Sequence, residues 1–369
     1  MRPYFSAVEV HAAAREVGVG AGARLGEVAT ALRGTGLAAP VGVHPTVGVG
    51  LMLQGGLGRL ARTHGLSVDA IAAAEVVTPD GNLRYLRAGS SGISMSAEDD
   101  ELLWALRGAA PNFAVVTRVV LRCADVSRPV CAVRGAHFFA KDEDGAGGHN
   151  SALTLLGSYA AAADALPAVQ SIDAIIGRDS RGALGIALQA VSLNADLRFP
   201  PEVEALLGVS ASMAAAAECA VKCAYDDIPH LTLDGAPVVS DERDLTIEAK
   251  GTGAVGSACM ARRSSKGDQG ADGVLSYVRQ RFVAALTPSA LAAILDACGA
   301  APTTMCCVMV NHCGGAAREA QADACFAPRD LEHSVVVIAL WTDPSSAARA
   351  ACVAWAEALD TALGACCPA

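Results

Sequence analysis

No stretch of the chain reaches the ~20 uninterrupted apolar positions that a membrane-spanning helix requires, because Ala, Val and Leu are broken up by Gly and charged residues. A transmembrane span is therefore not expected. Basic residues are few and dispersed, 28 against 38 acidic ones for a formal net charge of −10, so no positive stripe exists to attract a phosphate backbone. Nucleic acid is excluded as a partner. Gly-x-Ser-x-Gly is missing, which leaves hydrolase chemistry without a nucleophile elbow. GxxxxGK[ST] is missing as well, and no GxGxxG lies between a strand and a helix, which sets aside both common nucleotide-phosphate motifs. The 13 cysteines show neither a CxxC pair nor the even spacing of a disulfide framework and are read as mostly reduced. Cys219 and Cys223, four apart on a predicted helix, suit either a metal or ordinary helix packing. Between Met1 and Glu16 the residues Arg2, Glu9, His11 and Arg15 leave no room for an apolar signal core. The localisation expected from this start is cytoplasmic, or secretory if a segment precedes it.

What is present is a 369-residue chain with 52% hydrophobic content, enough for a large core and, by length, two domains or one elaborate one. Val17 to Ala23 reads as a short strand entering a glycine turn, and Leu25 to Leu32 has helical apolar spacing. Ala72 to Val77 and Leu83 to Leu86 read as antiparallel strands joined by the Pro79-Asp80-Gly81 turn. A short helix is predicted over Glu101 to Arg107 and a strand over Ala114 to Arg122. After about residue 125, alanine-rich helical stretches alternate with strands such as Ala183 to Val191, Thr304 to Asn311 and Ser334 to Trp341. The polar stretch 226–273 predicts long loops.

Between Pro40 and Gly58, glycines at 42, 48, 50, 55, 56 and 58 interrupt small and branched residues too often for a helix. Such a loop brings main-chain N–H groups close to a ligand's oxygens, and several acceptors can be satisfied at once. By itself a glycine-rich loop is weak evidence. Its order among other blocks is more specific: Gly20-Ala21-Gly22-Ala23-Arg24-Leu25-Gly26-Glu27-Val28, then His44-Pro45-Thr46-Val47-Gly48-Val49-Gly50 and Gln54-Gly55-Gly56-Leu57-Gly58, then Gly65-Leu66-Ser67-Val68-Asp69. Glu75-Val76-Val77-Thr78-Pro79-Asp80-Gly81, Leu103-Trp104-Ala105-Leu106-Arg107-Gly108 and Asn112-Phe113-Ala114-Val115-Val116-Thr117 follow.

In this order the blocks resemble the flavin-binding domain of the berberine bridge enzyme and vanillyl-alcohol oxidase group, over roughly residues 15–122. Gly314-Gly315-Ala316, Phe326-Ala327-Pro328-Arg329, Trp341 and Trp355 look like the closing part of that family's substrate domain. The resemblance implies an α+β architecture: a partial PCMH-type FAD-binding domain over 1–125, then an antiparallel-sheet substrate domain with covering helices over 126–369. It also implies FAD-dependent oxidation of a small alcohol, sugar or phenolic substrate by hydride transfer, with molecular oxygen as acceptor. Along the cofactor it places His44, Pro45, Thr46, Val47, Gly48, Gly50, Gly55, Gly56 and Gly58, with Val115 and Val116 near its ring or adenine. No catalytic base is identified.

The sequence also departs from the family pattern. Nothing before Val17 matches the Arg-x-Gly-Gly-His block, whose histidine bonds the flavin covalently, and no Tyr-x-Asn-Tyr precedes Cys366-Cys367-Pro368-Ala369. His44 stands where bicovalent members carry cysteine, so noncovalent FAD is expected; His44 either stacks on or hydrogen-bonds the flavin, or is an ordinary loop histidine. Met52 replaces a polar donor, which predicts harder flavin reduction. Asn311 and His312 either contact substrate or end a strand at the surface. Arg59 and Arg62 either attract an anionic group or form a solvated helix face. The alternative for the whole chain is a truncated, flavin-free pseudoenzyme that acts as an interaction protein.

Overall fold

The computed structural model describes residues 2, 4–89, 96–139, 146–179, 181–195, 198–207, 220–223, 225–228, 274–319 and 323–367. The chain divides into two compact units, the first made of residues 1–129, 224–226 and 313–329, the second of 130–223, 227–312 and 330–369.

Unit 1 holds β1 (Val8–His11), β2 (Glu16–Gly20), α1 (Leu25–Leu32), β3 (Leu37–Ala38), α2 (Val49–Met52), α3 (Ala61–His64), α4 (Ser67–Ala70), β4 (Ile71–Val77), β5 (Leu83–Arg87), α5 (Ala97–Ala109), β6 (Val115–Arg122) and β7 (Ala124–Asp125). Five of the strands form one antiparallel sheet in the order β1-β2-β6-β4-β5, while β3 pairs with β7. Strand alternation decides which face is buried: Val17 and Val19 of β2 enter the core with Val119 and Leu121 of β6. Between them Gly18 leaves room for the Arg118 guanidinium, which a Cβ there would meet at 2.2 Å. Helix α1 turns Leu25, Val28 and Leu32 into the same core, each such side chain contributing about 1.5–3 kcal/mol. Its first turn is tied by the Glu27 carboxylate, which accepts the Arg24 N–H at 2.7 Å.

The predicted turn between β4 and β5 forms around Asp80, whose Oδ1 accepts from Thr78 Oγ1 at 2.5 Å and from the Asn82 N–H at 3.2 Å. Helix α5 begins at Ala97, earlier than the predicted Glu101, because Ser96 caps it by accepting the Asp99 N–H at 3.1 Å. Glu98, Asp99 and Asp100 then lie in its first turn, where negative charge suits the helix dipole.

Unit 2 is built on a seven-stranded antiparallel sheet. Its strands are β8 (Val130–Phe139), β9 (Gln170–Arg178), β10 (Leu184–Ser192), β11 (Ala220–Cys223), β12 (Leu275–Val283), β13 (Cys307–His312) and β14 (His333–Trp341), in the order β11-β8-β10-β9-β13-β14-β12. Helices α6 (Ala146–Ala165), α7 (Pro201–Leu206), α8 (Pro288–Gly299) and α9 (Ser346–Cys366) complete it. One sheet face packs on the helices through Ile172, Ile176, Leu188, Val308, Val310, Val335 and Val337. The opposite face carries a smaller apolar cluster of Ile175, Ala187, Cys307, Ile338 and Leu340. The α+β class and the sheet covered by helices are as the sequence predicts.

Cys223 ends strand β11 and is not on a helix; pairing with the edge of β8 satisfies its backbone and overrides helical propensity. Cys219 and most of the predicted loop region, 229–273, lie outside the described residues. Among the described residues there is no disulfide, no cluster of three metal-ligating side chains, and no helix long and apolar enough to cross a membrane.

Candidate functional site

In unit 1 the glycine loop runs across the start of α1. The carbonyls of Pro45 and Val47 accept the Gly26 and Leu25 N–H groups at 2.9 and 2.8 Å, so the loop satisfies donors that a helix N-terminus leaves open. His44 and Thr46 join side chain to side chain, Nδ1 to Oγ1 at 2.8 Å. Gly48 then caps α2, and within α2 Met52 is fully buried in the core.

The loop glycines fall into two kinds. Gly50 is exposed, and nothing lies within 4 Å of where its Cβ would stand. Gly55, Gly56 and Gly58 are packed on their own chain: a Cβ would come within 2.9 Å of the Phe326 ring, 2.2 Å of Ser67 Oγ and 1.8 Å of the Val41 carbonyl oxygen, respectively. The Gly55 carbonyl accepts the Val68 N–H at 3.0 Å, and the Gly56 carbonyl accepts the Ser67 N–H at 2.9 Å and its hydroxyl at 3.0 Å. Among the described residues the N–H groups of Gly55, Gly56 and Gly58 donate to no protein acceptor. A buried amide without an acceptor costs about 1–3 kcal/mol, so this row of donors fits an oxygen-rich ligand.

Val115 and Val116 point to opposite faces of the sheet. Val116 is in the core, whereas Val115 is 56% exposed and forms an apolar row with Val77 and the exposed Leu83. Arg62 is buried and donates to the Cys313 carbonyl at 2.5 Å, which rules out the solvated helix face offered for it; Arg59 is partly buried.

Unit 2 separates the predicted pair. Asn311 lies on the open face of the sheet with Cys307 and Met309, while His312 lies on the helix-covered face with Val308 and Val310. Two consecutive strand residues must alternate in this way. His312 is buried rather than at the surface, with Nε2 3.4 Å from Glu332 and Nδ1 accepting the Ile172 N–H at 3.4 Å. Its ring stacks on His333 at 5.6 Å between centroids, and His333 Nε2 lies 3.5 Å from Asp164. Burial, then the nearby Glu332 charge, pushes the Asp164 carboxyl above its ordinary range.

Asn311 belongs to a row that sequence reading missed. Register pairs Asn311 with Ser334, Asp173 with Gln189, and Gln189 with Arg134, while the Asp173 carboxylate accepts the His312 N–H at 2.8 Å. Gln280 adds a hydrogen bond from Nε2 to Ser334 Oγ at 2.9 Å. A polar band thus crosses five adjacent strands beside the Met309, Ile175 and Ala187 row. Single polar residues inside apolar strands, Asp173 in β9 and Gln189 in β10, were the available signal.

Residues 1–87 match the family model described as FAD binding domain. The (R)-6-hydroxynicotine oxidase of Paenarthrobacter nicotinovorans is 36% identical over 128 residues, 34% of this chain and 26% of that protein. An FAD-linked oxidoreductase of Dictyostelium discoideum is 26% identical over 333 residues, 89% of this chain and 61% of the relative. A berberine-bridge-enzyme-like structure from Arabidopsis thaliana superposes with a TM-score of 0.71 at 19% identity, over 98% of this chain and 67% of that one. The chain is thus similar to FAD-linked oxidases of the berberine bridge enzyme group, by sequence in its first part and by fold over nearly its whole length. FAD is the cofactor of this group, and the flavin-domain likeness lies in the half of the chain that carries the glycine loop. The chain spans less than two thirds of the length of both curated relatives.

Proposed function

We propose that the chain is a member of that group and oxidises a small hydroxylated substrate by hydride transfer to noncovalently held FAD, with molecular oxygen as the final acceptor. The observation that carries the reading is the set of amides at Gly55, Gly56 and Gly58, turned to no acceptor among the described residues. They are donors of the kind that flavin and phosphate oxygens need, and Gly50 adds an approach without a side chain. The proposed contacts are His44, Pro45, Thr46, Val47, Gly48, Gly50, Gly55, Gly56 and Gly58, with Val115 as the exposed apolar neighbour. Bound FAD would supply the acceptor for the hydride, which carries both electrons of the oxidation, with molecular oxygen as the terminal oxidant.

The rest is the work of this chain's own groups. His44 stands where a thiolate would be needed for a ring linkage, and its Nδ1 is engaged by Thr46, which supports noncovalent binding. On the open sheet face, Asn311, Gln189 and Ser334 offer donors and acceptors matched to hydroxyl groups, and Met309 and Ile175 offer an apolar platform. Asp173 is the carboxylate of that row, a group whose chemistry suits it to accept a proton from a hydroxyl. His312, facing the helices, is proposed to buttress Asp173 through its backbone N–H rather than to touch substrate.

The test is the absorbance of the purified protein. A flavin band that leaves with the supernatant after acid precipitation is expected. A yellow pellet would refute noncovalent binding, and colourless protein that takes up no added FAD would favour the flavin-free interaction protein.

A further inference from the structure

Between β13 and β14 the chain contributes residues 313–329 to unit 1, and Phe326 of this strap sits directly on the glycine loop. Gly55 and Gly56 have φ of +114° and +78°, so their backbone has wide freedom unless something restrains it. Their carbonyls are held by Ser67 and Val68, and the side of Gly55 that a Cβ would fill is closed by the Phe326 ring, with Cε2 at 2.9 Å and Cζ at 3.0 Å.

Phe326 is itself fixed from three directions. Its N–H donates to the Arg107 carbonyl at 3.1 Å, its carbonyl accepts from Arg329 Nε at 3.3 Å, and the Arg329 guanidinium lies 5.3 Å from its ring centroid. Arg329 reaches both oxygens of Asp69, at 2.7 and 2.9 Å, and both side chains are buried. Asp69 Oδ2 also accepts the Leu66 N–H at 2.8 Å, immediately before the Ser67 and Val68 amides that hold the glycine carbonyls. The contacts therefore close on themselves, from Gly55 through Phe326, Arg329 and Asp69 to Ser67 and Val68 and back to the glycines.

We propose that Phe326 is a positioning residue for the cofactor, held in place by the Arg329–Asp69 pair: it keeps the Gly55 and Gly56 amides aimed for FAD without touching FAD itself. The inference rests on the cofactor contacts proposed above. Without the ring, one or two loop residues must be ordered when the cofactor binds, which weakens FAD binding about tenfold.

FAD titration of the full chain, followed by quenching of flavin fluorescence well below the melting transition, tests this. Phe326→Ala is expected to raise the FAD Kd about tenfold, Phe326→Leu less, and Arg329→Lys severalfold, since lysine keeps the charge but loses the two-pronged contact. Leu121→Ala, in the core of the same unit, serves as the control: it lowers the melting temperature but should leave the Kd within about twofold. An equal change of Kd in Phe326→Ala and Leu121→Ala, or no change in Phe326→Ala and Arg329→Lys, would overturn the positioning role. A wild-type chain that takes up no FAD would overturn the cofactor contacts as well, and is distinguished by the missing flavin signal.

Discussion

Replacing Gly56 by alanine introduces a methyl group where Ser67 already stands. The new Cβ would lie 2.2 Å from Ser67 Oγ and 2.5 Å from Ser67 Cβ, at a backbone φ of +78°. The left-handed conformation costs an alanine about 1–2 kcal/mol, and overpacking adds about 1–3 kcal/mol. Ser67 cannot easily give way, because it is fully buried and its N–H and hydroxyl both bond the Gly56 carbonyl. A loss of roughly 2–5 kcal/mol follows from the sum of the two terms. Gly50→Ala is the matched contrast: it is exposed, helical and open, so alanine should stabilise by about 0.5–1 kcal/mol. Urea unfolding of the two variants, paired with FAD titration, separates the roles. Gly56→Ala should lose stability and flavin together, while Gly50→Ala should gain stability and yet bind FAD more weakly, because the methyl enters the face proposed for the cofactor. Adding Ser67→Gly to Gly56→Ala should recover the overpacking but not the backbone strain. Wild-type unfolding in Gly56→Ala would refute the packing argument, and wild-type FAD affinity in Gly50→Ala would remove that residue from the cofactor contacts.

Three further outcomes are expected. Arg107 is 2% exposed and its guanidinium donates to the Ile71 carbonyl at 2.6 and 3.1 Å; Arg107→Met should cost about 2–3 kcal/mol and lower the calorimetric transition by roughly 4–12 °C, and an unchanged transition would contradict it. Asp164 is an acid whose folded pKa is raised, so its ionised form opposes folding; that penalty is full above the folded pKa and gone below the unfolded one. Asp164→Asn should therefore raise the melting temperature at neutral pH but not below the ordinary carboxylate range, and thermal scans at the two pH values check the sign. Burial pushes the Cys298 thiol far up and the Cys352 thiol to about 11, so both should resist iodoacetamide at mildly alkaline pH until the protein is denatured, as read by peptide mapping.

Local chemistry made part of this structure legible. Helix α1 and the β4 turn β5 hairpin follow from apolar spacing and from Pro79-Asp80-Gly81, all within a few residues. The start of α5 was hidden because Glu98, Asp99 and Asp100 look like loop text unless Ser96 is recognised as the cap. Period-two alternation, applied to Cys307–His312, would have placed Asn311 and His312 on opposite faces. The polar band could not be read in advance, since it needs the order β8-β10-β9-β13-β14, which no local pattern encodes. Reading the glycines as backbone for a ligand missed that Gly55 makes room for Phe326, a partner brought in from far along the chain.

Unit 1 draws on residues 313–329 as well as on 1–129, so it is unfinished until late in synthesis. While the ribosome is still extending the second sheet, the socket around Gly55 stands open and the Asp69 carboxylate has yet to meet its guanidinium. A cut after residue 129 would not release a miniature flavoprotein but a piece with its keystone missing, and any attempt to graft this domain elsewhere must carry the distant strap with it.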